Sequence, residues 1–95
     1  MKRLALLAAL AAPLSASAES GLVVFHTQCS RCHGEDGRGS AIFTTPSFLT
    51  STLSAGEMAQ VVDAGRGRMP AFRSKLSAEE ISAVAAYVKA GLPAK

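Results

Sequence analysis

The chain has 95 residues, with 10 basic and 7 acidic side chains, two cysteines, two histidines and no tryptophan. A chain this short forms one small domain whose thin core needs a covalent or prosthetic staple. Lys2 and Arg3 belong to the first few residues, so the remainder carries 10 − 2 = 8 basic residues against 7 acidic ones, a net charge of +1. That balance gives nucleic-acid binding no support.

Met1-Lys2-Arg3 precedes an apolar run from Leu4 to Leu14, and Ser15-Ala16-Ser17-Ala18 follows. A charged start, a short apolar stretch and small residues in an A-x-A arrangement predict a secretory signal peptide over residues 1–18, cleaved after Ala18. The competing reading is a membrane anchor, but the run falls short of the ~20 residues a span requires. The expected product is a single domain over residues 19–95, exported to the periplasm and without a membrane span.

The first predicted helix runs from about Ser20 to Ser30, with Leu22, Phe25, His26 and Cys29 at helical spacing. Gly21 lies one turn before Phe25, where a missing side chain permits close approach of another backbone; fraying at the helix start is the alternative.

This helix leads into Cys29-Ser30-Arg31-Cys32-His33, which reads C-x-x-C-H, the attachment signature for a c-type haem. Two thiols three residues apart on a helical turn face the same way. They can add to the two vinyl groups on one edge of a haem, and the imidazole of the next residue can then reach the iron. Three other readings compete. A redox dithiol belongs near a βαβ pattern, which is missing here. A zinc site would have to converge His26, Cys29, Cys32 and His33, all within eight positions, on a tetrahedron. A structural disulfide would close almost no loop. Haem c, held by Cys29 and Cys32 with His33 as an axial ligand, is the expected staple.

A loop from Gly34 to Leu53 follows. Gly34, Gly37 and Gly39 mark a turning exit from the motif. Phe43, Phe48 and Leu49 are apolar enough to line a porphyrin or to complete the core. The second helix is expected over Ala55–Ala64. Ser54 and Glu57 form a capping box, Leu53 and Met58 a hydrophobic staple, and Gly65 the stop. The third is expected over Ala78–Ala90, with Ser77 and Glu80 as its capping box and Leu76 and Ile81 as its staple. Its apolar stripe is Ile81, Val84, Ala85 and Val88. Lys89 suits the last-turn dipole, and Gly91 and Pro93 end the helix.

The opposite axial position of the iron has four kinds of contender: Met58, Met69, His26 and the lysines. Met69 is favoured, because Gly65 and Gly67 let its loop turn sharply and Pro70 stiffens it. Met58 has a structural explanation in its staple, and His26 lies too near Cys29 to reach the other haem face. The proximal His33 needs an acceptor for its second ring nitrogen, expected from a backbone carbonyl near Pro46.

With these residues placed, the chain resembles the small bacterial class I cytochromes c over its whole length after residue 18. The resemblance rests on C-S-R-C-H, the R-M-P loop, Gly21 and Phe25, and V-A-A-Y in the last helix. It implies an all-α fold of about three main helices wrapped around one covalently bound haem. In that family the first and last helices cross closely through a glycine and aromatic pair, which Gly21, Phe25 and Tyr87 match. Pro46 looks like the family's proline beside the proximal histidine. Val84 stands where the family often has Leu, and the tryptophan that many relatives place near a propionate is missing.

The resemblance also implies single-electron transfer, not enzymatic turnover, between redox partner proteins, and His/Met ligation favours a relatively high potential. Rival readings are a permanent cytochrome subunit of a larger oxidoreductase, and a haem enzyme or gas sensor with a labile Met69. Arg66, Arg68, Arg73 and Lys75 cluster around Met69. They predict a partner with an acidic docking surface, or serve only to solvate a loop or neutralise propionates.

Overall fold

The computed structural model describes residues 20–42, 47–49 and 51–93. Among these, all regular structure is helical apart from isolated bridge residues, Ser40 and the pair Arg66 and Met69. The signal peptide expected over residues 1–18, together with Phe43 and Pro46, lies outside the described residues.

Helix α1 is built in three parts. Residues 20–24 are helical, a π-helical turn spans Phe25–Cys29, and an α-helical turn spans Ser30–His33. The sequence pattern anticipates a plain helix ending near Ser30; the observed one carries an inserted π turn and continues through the motif. Gly34 ends it at φ 83°, and its N–H donates to Ser30 O at 2.7 Å.

Helix α2 covers Ala55–Ala64 and helix α3 covers Ala78–Lys89. Both start for the same reason. Ser54 Oγ accepts from Glu57 N–H at 3.1 Å while Glu57 Oε1 accepts from Ser54 N–H at 2.8 Å. Ser77 and Glu80 repeat the pattern at 3.0 and 2.8 Å. Each box satisfies two backbone donors that would otherwise lack partners. Gly65 terminates α2 at φ 78°, and a side chain there would come within 2.7 Å of Met69 O. The glycine thus permits both the turn and the tight return of the loop.

The core joins α1, α3 and the segment between α2 and α3. Val24, Phe25, Phe72, Leu76, Ile81 and Val84 form one buried cluster, with Phe25 fully enclosed. Burying a side chain of this size contributes about 1.5–3 kcal/mol. The α1–α3 crossing depends on Gly21: a Cβ there would lie 2.6 Å from Ala83 O and 2.9 Å from Tyr87 Cβ. The Phe25 and Tyr87 rings meet beside this contact at 5.8 Å between centroids. The close crossing expected from the sequence is therefore present. Lys89 adds a longer tie, its Nζ donating to Leu53 O at 2.8 Å ahead of α2. Among the described residues, no helix is long and apolar enough to cross a membrane.

Candidate functional site

The three motif side chains sit at the C-terminal end of α1. Cys29 is half-buried and packs against the core, Cys32 is exposed, and both are free thiols. Burial pushes the Cys29 thiol up to about 11, and the neighbouring Cys32 adds to the rise. A thiol held protonated at neutral pH is a poor redox nucleophile, so Cys29 is not the attacking group of a dithiol exchange. Zinc fares no better: among the described residues, which include His26, Cys29, Cys32 and His33, no group of three or more ligating side chains converges. His26 is instead engaged by Glu35, with Nδ1 and Oε1 2.7 Å apart.

His33 is half-buried, and its pKa is lowered by that burial. Its imidazole is therefore neutral at physiological pH, the form in which it ligates metal. Phe48 steadies the ring at 5.2 Å between centroids and reaches on to Phe25 at 6.1 Å. Gly37 allows this arrangement, since a side chain there would collide with the Phe48 ring. The Nδ1 atom of His33 is buried and has no hydrogen-bond partner among the described residues. The expected acceptor near Pro46 lies outside them.

Met69 comes from a different part of the fold. It closes a tight turn in which Arg66 N–H donates to Met69 O and Met69 N–H donates to Arg66 O, both at 3.0 Å. Its side chain is half-buried against the core, as are Cys29 and Phe48. Three separate segments thus bring a thiol, an aromatic ring and a thioether onto one apolar cluster. No polar or charged residue is fully buried among the described residues. Met58 is half-buried as well but is not among the side chains packed on this cluster. An open groove of about 580 Å³ along α3, lined by Ala78, Ser82, Ala86 and Tyr87 among others, takes none of the motif residues.

These observations fit a haem. The donor set is two thiols, an imidazole with an orphaned buried nitrogen, and a thioether, on an apolar surface. Imidazole and thioether suit haem iron, whereas hard cations call for oxygen ligands.

The comparisons with known proteins decide the matter. A family model described as "Cytochrome C oxidase, cbb3-type, subunit III" matches residues 16–88, more than half of the chain. This chain belongs to the cytochrome c family. It is 38% identical to cytochrome c-555 of Methylococcus capsulatus, over 85% of this chain and 68% of that protein. It is 35% identical to cytochrome c6 of Leptolyngbya boryana, over 77% of this chain and 91% of that protein. It is also 34% identical to the cbb3-type cytochrome c oxidase subunit CcoP of Cereibacter sphaeroides, over 78% of this chain. The match spans only 27% of that subunit's length. The all-α fold and the covalently bound haem c expected from the sequence accord with these relatives. The cytochrome is an electron-carrying haem protein.

The basic cluster looks different in three dimensions. Arg73 is paired with Asp63, Nη2 to Oδ2 at 3.0 Å, and its Nε donates to Asp63 O at 3.3 Å. The Lys75 ammonium lies 5.5 Å from the centroid of the Phe72 ring. Two of the four cations are thus tied to the fold itself, and Arg66 and Arg68 stand exposed on the Met69 turn. The π turn of α1 is the feature that sequence reasoning missed. The only local signal for it is the pair of hydroxyl residues Thr27 and Ser30 bracketing Gln28.

Proposed function

We propose that this cytochrome is a periplasmic, mono-haem carrier of single electrons, in which Cys29 and Cys32 hold haem c and His33 and Met69 are the axial ligands. It is a carrier and not an enzyme in this reading: with His33 and Met69 both holding the iron, no position would be left for a substrate. The single observation that carries the reading is that Cys29, Phe48 and Met69, from three separate segments, pack onto one apolar cluster, with the His33 ring 5.2 Å from Phe48 between centroids.

Haem c supplies a one-electron couple whose potential depends on its axial ligands. The chain's own residues supply the rest. Cys29 and Cys32 anchor, His33 is oriented by Phe48, Met69 is offered by a turn closed on itself, and the apolar cluster excludes water. Cys29 and Cys32 would hold the group by adding S–H across its two vinyl double bonds, an addition that needs no oxidant. The partners are redox proteins, and the exposed Arg66 and Arg68 favour one with an acidic docking surface.

A second reading has a specific observation in its favour. The matching family model is that of an oxidase subunit, so the same domain could serve as the fixed electron entry of a larger complex. Purification from the native cell separates the two: a free carrier elutes alone, a subunit with its complex.

The ligand assignment is tested by absorption spectroscopy. Met ligation gives a weak far-red band in the ferric state. Met69→Ala is expected to abolish the band, lower the reduction potential and admit exogenous ligands, while Met58→Ala does none of these. A Met69→Ala protein that keeps the band overturns the assignment.

A further inference from the structure

The π turn in α1 sets which residues of the motif face the core. Upstream, the buried face of α1 is Gly21, Val24 and Phe25. In a plain α-helix each residue advances about 100°, so Gln28 and Cys32 would continue that face to within about 30°, while Cys29 and His33 would stand about 90° and 130° away from it. A π turn inserts one extra residue and so turns everything after it back by about 100°. Cys29 and His33 then come within about 30° of the core face, and Cys32 moves about 70° to its side. Burial follows the second pattern: Cys29 and His33 are half-buried, whereas Gln28 and Cys32 are exposed.

Two hydroxyls, one within the turn and one just after it, bond to carbonyls one helical turn back. The Ser30 backbone N–H donates to Phe25 O, five residues back. That deprives His26 O of the donor that an α-turn would give it, and Ser30 Oγ donates to it instead at 2.9 Å. From the middle of the turn Thr27 Oγ1 donates to Val23 O at 2.8 Å, ahead of it. Ser and Thr hydroxyls bonded to a carbonyl one turn back compete with the helical ladder and favour such distortions.

We infer that Thr27 and Ser30 are positioning residues: their hydroxyls hold the π turn of α1, which rotates Cys29 and His33 onto the core face where haem is bound. The inference rests on the haem-anchor reading of Cys29, Cys32 and His33.

The test co-expresses full-length variants with a periplasmic haem-attachment system and measures the fraction of purified chains carrying covalent haem. Thr27→Val with Ser30→Ala is expected to lower loading about ten-fold, the scale on which outer partners of a metal ligand act. Thr27→Ser with Ser30→Thr, which keeps both hydroxyls, loads like the parent. Deletion of Gln28 removes the extra residue and restores the same phase in a plain helix, so it rescues loading in the hydroxyl-free background. A purely structural role for the hydroxyls would not produce that rescue. Hydroxyl-free chains that load like the parent, or a deletion that fails to rescue, overturn the inference. If the parent chain itself carries no covalent haem, the anchor reading fails. The turn is then read by through-hydrogen-bond NMR coupling, from Ser30 N to the Phe25 carbonyl in the parent and to the His26 carbonyl in the hydroxyl-free variant. Persistence of the Phe25 coupling in that variant counts against the hydroxyls.

Discussion

Replacing Gly21 places a methyl group into the crossing of α1 and α3. The new Cβ would meet Ala83 O at 2.6 Å, Tyr87 Cβ at 2.9 Å and the Ala83 carbonyl carbon at 3.2 Å. Two of these atoms are backbone and the third is the first carbon of a side chain, so no rotamer change relieves the contact. The helices must separate, which loosens Phe25 against Tyr87. Overpacking of this kind costs about 1–3 kcal/mol. Alanine recovers at most about 1 kcal/mol of helix propensity over glycine, and less so near a helix start. The expected net loss for Gly21→Ala is about 1–2 kcal/mol, and Gly21→Val loses more because its γ-methyls enter the same gap. For a domain of this size each kcal/mol lowers the midpoint by about 4–8 °C. Thermal melts of the haem-loaded proteins, followed at the haem band and by far-UV circular dichroism, measure the shift. Tyr87→Ala cannot rescue the variant, since it leaves the Cβ in place. A Gly21→Ala protein as stable as the parent would refute the close-crossing argument.

Removing either capping hydroxyl, by Ser54→Ala or Ser77→Ala, is expected to cost about 1 kcal/mol in chemical denaturation. Glu57 titrates below the ordinary carboxylate range because it accepts from the Ser54 backbone N–H and hydroxyl, with Lys89 assisting. Its depressed folded pKa means that its stabilisation is present at neutral pH and is lost as pH falls through that value. Carbon-13 NMR of the Glu57 carboxyl should show the low midpoint, and the Ser54→Ala variant should move it back up. Arg66→Gln with Arg68→Gln should slow electron transfer to the native partner and flatten its dependence on ionic strength, whereas Arg73→Gln should act mainly on stability through Asp63. Equal effects from both would contradict the division of the basic cluster.

What the sequence made legible was local. Each capping box lies within four residues, and both appear where Ser and Glu sit three apart. The haem motif and the glycine ahead of Phe25 are also read from short spacings. What stayed hidden depends on hydrogen-bond register or on distant partners. The π turn changes no residue type, so the periodicity up to Ser30 reads as an ordinary helix. Arg73 looks free beside Met69 until the fold brings Asp63, ten residues earlier, within 3.0 Å. Lys89, expected to serve only its own helix dipole, reaches Leu53 O from 36 residues away.

The central claim is that Cys29 and Cys32 carry the haem. Its most direct test is peptide mass mapping of the purified cytochrome after denaturation and haem extraction with acidified organic solvent. The account predicts that the peptide containing Cys29-Ser30-Arg31-Cys32-His33 retains the full haem mass, with neither thiol open to alkylation. Haem lost to the solvent, with Cys29 and Cys32 both alkylated, would contradict it.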